Sequence, residues 1–227
     1  LPVQVTVASL RDYLGRPRFT PETNLTSGER RTAVPGVATG LAVTGTGGDV
    51  LYIEASLADP ETGPTGVTLT GQLGDVMKES AQIALSYLRS HGAELELPVI
   101  GLKDRGVHVH VPAGAVPKDG PSAGVTMTTA LASLLSGRPV RPDVAMTGEV
   151  SLTGRVLPIG GVKQKLLAAH RAGLTTVLIP QRNEPDLDDV PAEVLAKLDV
   201  HPVSDVREVL TLALEPAGAE EAAPIAA

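Results

Sequence analysis

Apolar and polar positions alternate with period two in some stretches and with the helical period in others, and the two kinds follow one another along most of the chain. Residues 38–44, 50–57 and 66–71 read as strands, with a glycine-rich hairpin turn at 45–48. Residues 75–89 place Val76, Met77, Ala81, Ala84 and Leu88 at helical spacing. The run VHVHV at 107–111 is a strand that sends His108 and His110 to one face and three valines to the other. A second helix starts at Pro121 or Ser122 and ends at Gly137, a well-placed C′ glycine. Short strands follow over 144–150 and 155–157, then a helix after Gly160-Gly161 and a strand over 175–179. Helices near 191–198 and 205–214 close the pattern, the last capped by Ser204, with His201 on a terminal strand edge. This succession predicts one α/β or α+β domain of short mixed strands packed with helices.

The two ends read differently. Val3, Val5 and Val7 alternate with Gln4 and Thr6 as a short extended stretch, and Ser9 is placed to cap a brief helix ending near Gly15. A polar, proline-broken linker follows, with a domain boundary near Pro35, so residues 1–35 are expected to be an appendage cut from something larger. The end, residues 215–227, has little to bury and is expected to be disordered.

Composition narrows the function. With 227 residues there is room for one sizeable core, and 24 glycines and 19 prolines provide many turns. The chain has no tryptophan and one phenylalanine, which argues against recognition by aromatic stacking. A net charge of -7 argues against nucleic acid as the main partner. The absence of cysteine excludes disulfides, thiol nucleophiles and cysteine-based metal centres, and fits a reducing compartment. No apolar run is long enough to span a membrane. Neither a GxxxxGK[ST] phosphate loop nor an HExxH motif occurs.

Three groups of residues carry candidate chemistry. His108 and His110, on one strand face, suit a pair of metal ligands, with Asp119 as a conceivable third; a hydrogen-bonded pair or an exposed polar face are the alternatives. Gly120-Pro121-Ser122-Ala123-Gly124 satisfies GxSxG, and Asp186 or Asp188 and then His201 follow in the order of a hydrolase triad. No apolar strand runs straight into the serine, however, because Pro117, Lys118 and Asp119 intervene, so the triad is disfavoured. Ser122 instead opens a helix, where unbonded N–H groups favour developing negative charge. Backbone amides over Gly120, Pro121 and Ser122 are the candidate oxyanion site, and a plain N-cap serine is the alternative. A serine without a histidine needs another base, and a desolvated lysine serves. On the helix after Gly161, Lys165 falls about 60° from Val162, at the border of the apolar stripe, and Lys163 about 100° away, which favours Lys165.

The segments PKDGPSAG (117–124), MTGEVSLTGRVLPIGGVKQKLLAAHRAG (146–173) and TTVLIPQRNEPDL (175–187) resemble the proteolytic domain of Lon protease, and blocks over 39–55, 69–80 and 107–124 extend the match to residues 36–210. The resemblance implies a peptidase domain over 36–214 that is a serine endopeptidase with a Ser122–Lys165 dyad. It makes Thr147 the residue that orients the lysine amine, and His108, His110, Asp119 and Glu54 supporting groups around the site. It further implies a cytoplasmic quality-control protease acting on unfolded proteins, usually a hexameric ring, in which a preceding ATPase module uses ATP and Mg2+. Residues 7–19 resemble the end of that module's helical part. Val43 departs from the aromatic residue common in relatives, which bears on the peptide groove and on subunit packing. A metal-dependent hydrolase built on His108 and His110, or a non-catalytic ring-forming domain, are the rival functions.

Overall fold

The computed structural model describes residues 3–15, 31–45, 47–61, 63, 65–102, 105–112 and 117–217. Of the linker expected to run from 16 to the boundary near Pro35, residues 16–30 lie outside the described residues and Arg31–Ala33 form a 3-10 turn with Thr32 buried; of the tail expected over 215–227, residues 218–227 lie outside them. In chain order the elements are α1 (Leu10–Leu14), β1 (Val37–Thr44), β2 (Gly47–Leu57), β3 (Val67–Thr70), α2 (Asp75–His91), β4 (Val107–His110), α3 (Gly124–Ser136) and β5 (Val144–Met146). After them come β6 (Glu149–Val150), β7 (Val156–Leu157), α4 (Val162–Arg171), β8 (Thr176–Pro180), α5 (Ala192–Leu195), β9 (Asp199–Val203) and α6 (Val206–Ala213).

Seven strands form one sheet in the order β3-β4-β2-β1-β5-β8-β9, and β6 and β7 make a separate hairpin. The β1–β2–β4 part is antiparallel, whereas β5, β8 and β9 run parallel beyond β1. Strand periodicity sorts the core into two layers. Val144, Met146 and Leu178 point into a cluster with α2, α3 and α6, and their neighbours Ala145, Val177 and Ile179 point into a second cluster with α4. Helix α3 is buried nearly all round, and no charged residue interrupts it. Its threonines satisfy their hydroxyls on backbone carbonyls: Thr128 donates to Gly124 (2.8 Å) and Thr129 to Val125 (2.9 Å). Gly137 ends it in the left-handed conformation, as expected.

Three local expectations change. Residues 3–6 form no strand, Val3, Val5 and Val7 are exposed, and the Ser9 hydroxyl turns back to Thr6 instead of capping α1. No residue of α1 is buried, so nothing within the described residues pairs with or covers this segment. Val76 is 44% exposed while Met77 is buried, so the apolar face of α2 begins one residue later. The cap of α6 is Asp205, whose side chain accepts from the Arg207 amide; Ser204 bonds Glu208 instead.

Candidate active site

Parallel strand β5 ends at Met146, and the next residue, Thr147, still donates its amide to Leu178 (3.0 Å), so the sheet continues one residue further. Its hydroxyl, fully buried, is the meeting point of two helices from opposite faces of the sheet. From one side Lys165 on α4 donates from Nζ to Thr147 Oγ1 (3.0 Å). Towards the other side the same hydroxyl donates to the carbonyl of Ser122 (3.3 Å), in the 3-10 turn Pro121–Ala123 that leads into α3. The Gly148 amide donates to the same carbonyl (2.9 Å). One hydroxyl, with one donor and two acceptor positions, thus ties lysine and serine together.

Lys165 is only 2% exposed, and burial pushes its amine down to about 8. Lys163 and Gln164 are exposed, and of the two candidate lysines it is Lys165 that is buried, the one the helical angles favoured. Ser122 and Lys165 line one cleft of about 390 Å³, walled by Ala42, Val43, Ile159 and Gln164. The serine is not spent on capping, since Gly120 and Ala123 occupy the cap positions of the turn and of α3.

Asp119 also lines this cleft, and it performs a structural task. Its Oδ1 accepts the amide of Met77 in the first turn of α2 (3.0 Å), a cap supplied from a distant part of the chain. Gly74 leaves the room for it, because a Cβ there would fall on the Asp119 carboxylate. The same oxygen accepts the Gly120 amide (2.8 Å). This narrows the oxyanion expectation: Gly120's N–H is engaged, Pro121 has none, and of the three the amide of Ser122 remains.

His108, His110 and Glu54 are not in the cleft lining. They sit on the sheet face opposite Val107 and Val109, with Glu54 across from His110. Glu54 pairs with Val37 at the start of β1, five residues or roughly 16 Å along the strand from Ala42. The Thr70 hydroxyl lies between the rings, 2.8 Å from His108 Nε2 and 2.7 Å from His110 Nδ1. This is the hydrogen-bonded alternative for the pair. Asp119 is engaged at α2 instead of beside them, and among the described residues no three His, Asp or Glu side chains gather as a metal would need. The triad residues are equally scattered. His201 bonds Asp199 (2.8 Å) on edge strand β9, and Asp186 accepts from Asn183 (2.6 Å).

Sequence reasoning missed Gly48. A Cβ there would fall on the Gln164 carbonyl, so this glycine lets α4 settle on the start of β2, and Arg171 locks the contact by donating to the Gly48 carbonyl (2.6 Å). Read locally, Gly48 is a turn residue, and its pairing with a helix more than a hundred residues away leaves no local signal.

Comparison with known proteins gives the chain its class, that of a proteolytic domain. The chain belongs to the Lon protease (S16) C-terminal proteolytic domain family, whose profile matches residues 4–216. It is 82% identical to a Lon protease of Frankia alni over 96% of this chain and 24% of that protein. It is 69% identical to one of Salinispora arenicola over 95% of the chain and 27% of the relative, and 66% identical to one of Mycolicibacterium smegmatis over the same shares. The chain therefore spans about a quarter of the length of the curated relatives it matches.

Proposed function

We propose that the chain cleaves peptide bonds through a Ser122–Lys165 dyad, as the peptidase part of a longer ATP-dependent quality-control protease. The buried bond from Lys165 Nζ to Thr147, which in turn holds the Ser122 main chain, carries this reading. A desolvated amine holds its proton weakly enough to act as a base near neutral pH. With one N–H given to Thr147, the neutral amine keeps its lone pair for the Ser122 hydroxyl. Ser122 Oγ attacks the scissile carbonyl as Lys165 takes its proton, and the Ser122 amide at the head of α3 stabilises the oxyanion. The ammonium then protonates the leaving amine, and water activated by the same lysine releases the acyl group. His108, His110 and Glu54 support the fold of the neighbouring sheet and take no part in these steps.

In the whole protein, residues 1–35 end a preceding ATPase module and its linker, 36–214 form the peptidase domain, and 215–227 are a tail. The exposed side chains of Leu10, Tyr13 and Leu14, grouped on one short helix, support the first assignment. ATP and Mg2+ serve that module, the subunits form a hexameric ring in the cytoplasm, and unfolded protein is the substrate. Among the described residues no helix is long and apolar enough to cross a membrane.

The test is reaction with a serine-directed sulfonyl fluoride followed by mass mapping. Modification at Ser122, lost in Ser122→Ala together with peptidase activity, is the expected result. Activity in Ser122→Ala above about a tenth of the parent chain's would overturn the assignment, because removing a nucleophile leaves far less.

A further inference from the structure

Between the end of β7 at Leu157 and the start of α4 at Val162, the chain runs through Pro158-Ile159-Gly160-Gly161. Three of these residues, Ile159, Gly160 and Gly161, wall the cleft that holds Ser122 and Lys165. The segment belongs to no strand or helix, and two glycines make it permissive. Something else must fix it. Asn183 does so from the irregular 3-10 stretch Gln181–Asp189, which follows β8. Its side chain, 5% exposed, accepts the Ile159 amide on Oδ1 (2.9 Å) and donates from Nδ2 to the Ile159 carbonyl (2.7 Å). The second Nδ2 hydrogen goes to Asp186 Oδ2 (2.6 Å).

We propose that Asn183 is a positioning residue for peptide binding: its carboxamide stands in for a neighbouring strand and holds Ile159 as the substrate-facing wall of the cleft. The inference rests on the serine-peptidase reading above. A carboxamide is the one uncharged side chain that offers an acceptor and a donor side by side, as a peptide group does. Asp186 accepts from the same Nδ2 group, which holds the carboxamide in the orientation that matches both main-chain groups of Ile159. That gives this carboxylate a role other than triad acid. Because both main-chain groups of Ile159 are taken, the wall acts on substrate through the Ile159 side chain and the adjoining glycines. Helix α4 is anchored independently, by Gly48, Arg171 and its stripe of Val162, Leu166 and Ala169. Loss of the clamp should therefore disturb peptide binding and leave the dyad in place.

The test compares a peptide substrate, which needs the wall, with a small sulfonyl fluoride, which does not. In Asn183→Ala, KM for an unstructured peptide should rise about tenfold while kcat stays within about threefold, the size of effect that misplaced positioning groups produce. Sulfonylation of Ser122 and the pH dependence of that reaction should match the parent chain. An unchanged KM, or a parallel fall of peptide cleavage and sulfonylation, would overturn the proposal. Asn183→Asp covers the case in which Asn183→Ala does not fold. It keeps the side chain's size and the acceptor for the Ile159 amide but removes both donations, so half of the clamp is lost. KM for the peptide should rise while sulfonylation of Ser122 stays at the parent rate, and an unchanged KM would sink the clamp. Sulfonylation of the parent chain at a residue other than Ser122 would instead sink the peptidase reading itself.

Discussion

An exposed lysine titrates near 10.5, and burial lowers Lys165 to about 8. The consequences run in opposite directions for activity and stability. Below pH 8 the neutral amine falls tenfold per unit, so acylation of Ser122 should climb to a plateau above pH ~8. For stability the relevant window lies between about 8 and 10.5, where the unfolded chain binds more protons than the folded one, so stability rises with pH there. Below that window the buried ammonium costs the fold roughly 3 kcal/mol. Lys165→Met removes this cost along with the base. It should abolish peptidase activity while stabilising the fold by about 1–3 kcal/mol near neutral pH, the lost bond to Thr147 offsetting part of the gain. The gain should shrink as pH rises through the window. Urea denaturation at both ends of it measures the effect, and a less stable Lys165→Met at neutral pH would contradict the assigned cause. Lys163, exposed on the same helix, should tolerate alanine with most activity retained.

Among the elements, α4 matters most to the proposed chemistry because it carries Lys165, and its docking depends on a residue with no side chain. Gly48→Ala puts a methyl group against the Gln164 carbonyl and the Lys165 amide. Backbone cannot swing away as a side chain can, so the helix must shift. We expect a stability loss of about 1–3 kcal/mol and at least a tenfold fall in the sulfonylation rate of Ser122, since a displaced Lys165 leaves the serine without its base. Sulfonylation at the parent rate would show that the contact is dispensable. Helices α2, α3 and α4, and the place of Lys165 on the apolar border of α4, were legible because a helical face is written every three to four residues. Ser122 and Thr147 were legible through the motifs that contain them. The α6 cap was misread because Ser204 and Asp205 are adjacent residues of equal capping strength, and only Glu208, which takes Ser204, decides between them. The Gln181–Asp189 stretch, with Pro185 inside it, follows no period, so neither it nor the function of Asn183 left a pattern to read.

At the scale of the molecule, the sheet separates the layer that bears the proposed nucleophile from the layer that bears the proposed base, and Thr147, past the end of β5, joins them. A dyad built this way would be sensitive to how the two layers sit, yet Ser122, Thr147 and Lys165 all belong to this chain and to one domain. The domain should therefore cleave short unstructured peptides by itself. Pulling apart a stably folded protein needs work from nucleotide hydrolysis, and the sequence contains no GxxxxGK[ST] loop to cradle a triphosphate. Added ATP and Mg2+ should leave the rate of peptide cleavage by this chain unchanged, and should not make it degrade a folded substrate. The measurement is loss of an intact, stably folded reporter protein with and without nucleotide, set beside cleavage of a fluorogenic peptide. Acceleration of reporter loss by ATP would mean that these residues hold a nucleotide site of their own, and the division of labour with a separate ATPase module would have to be given up.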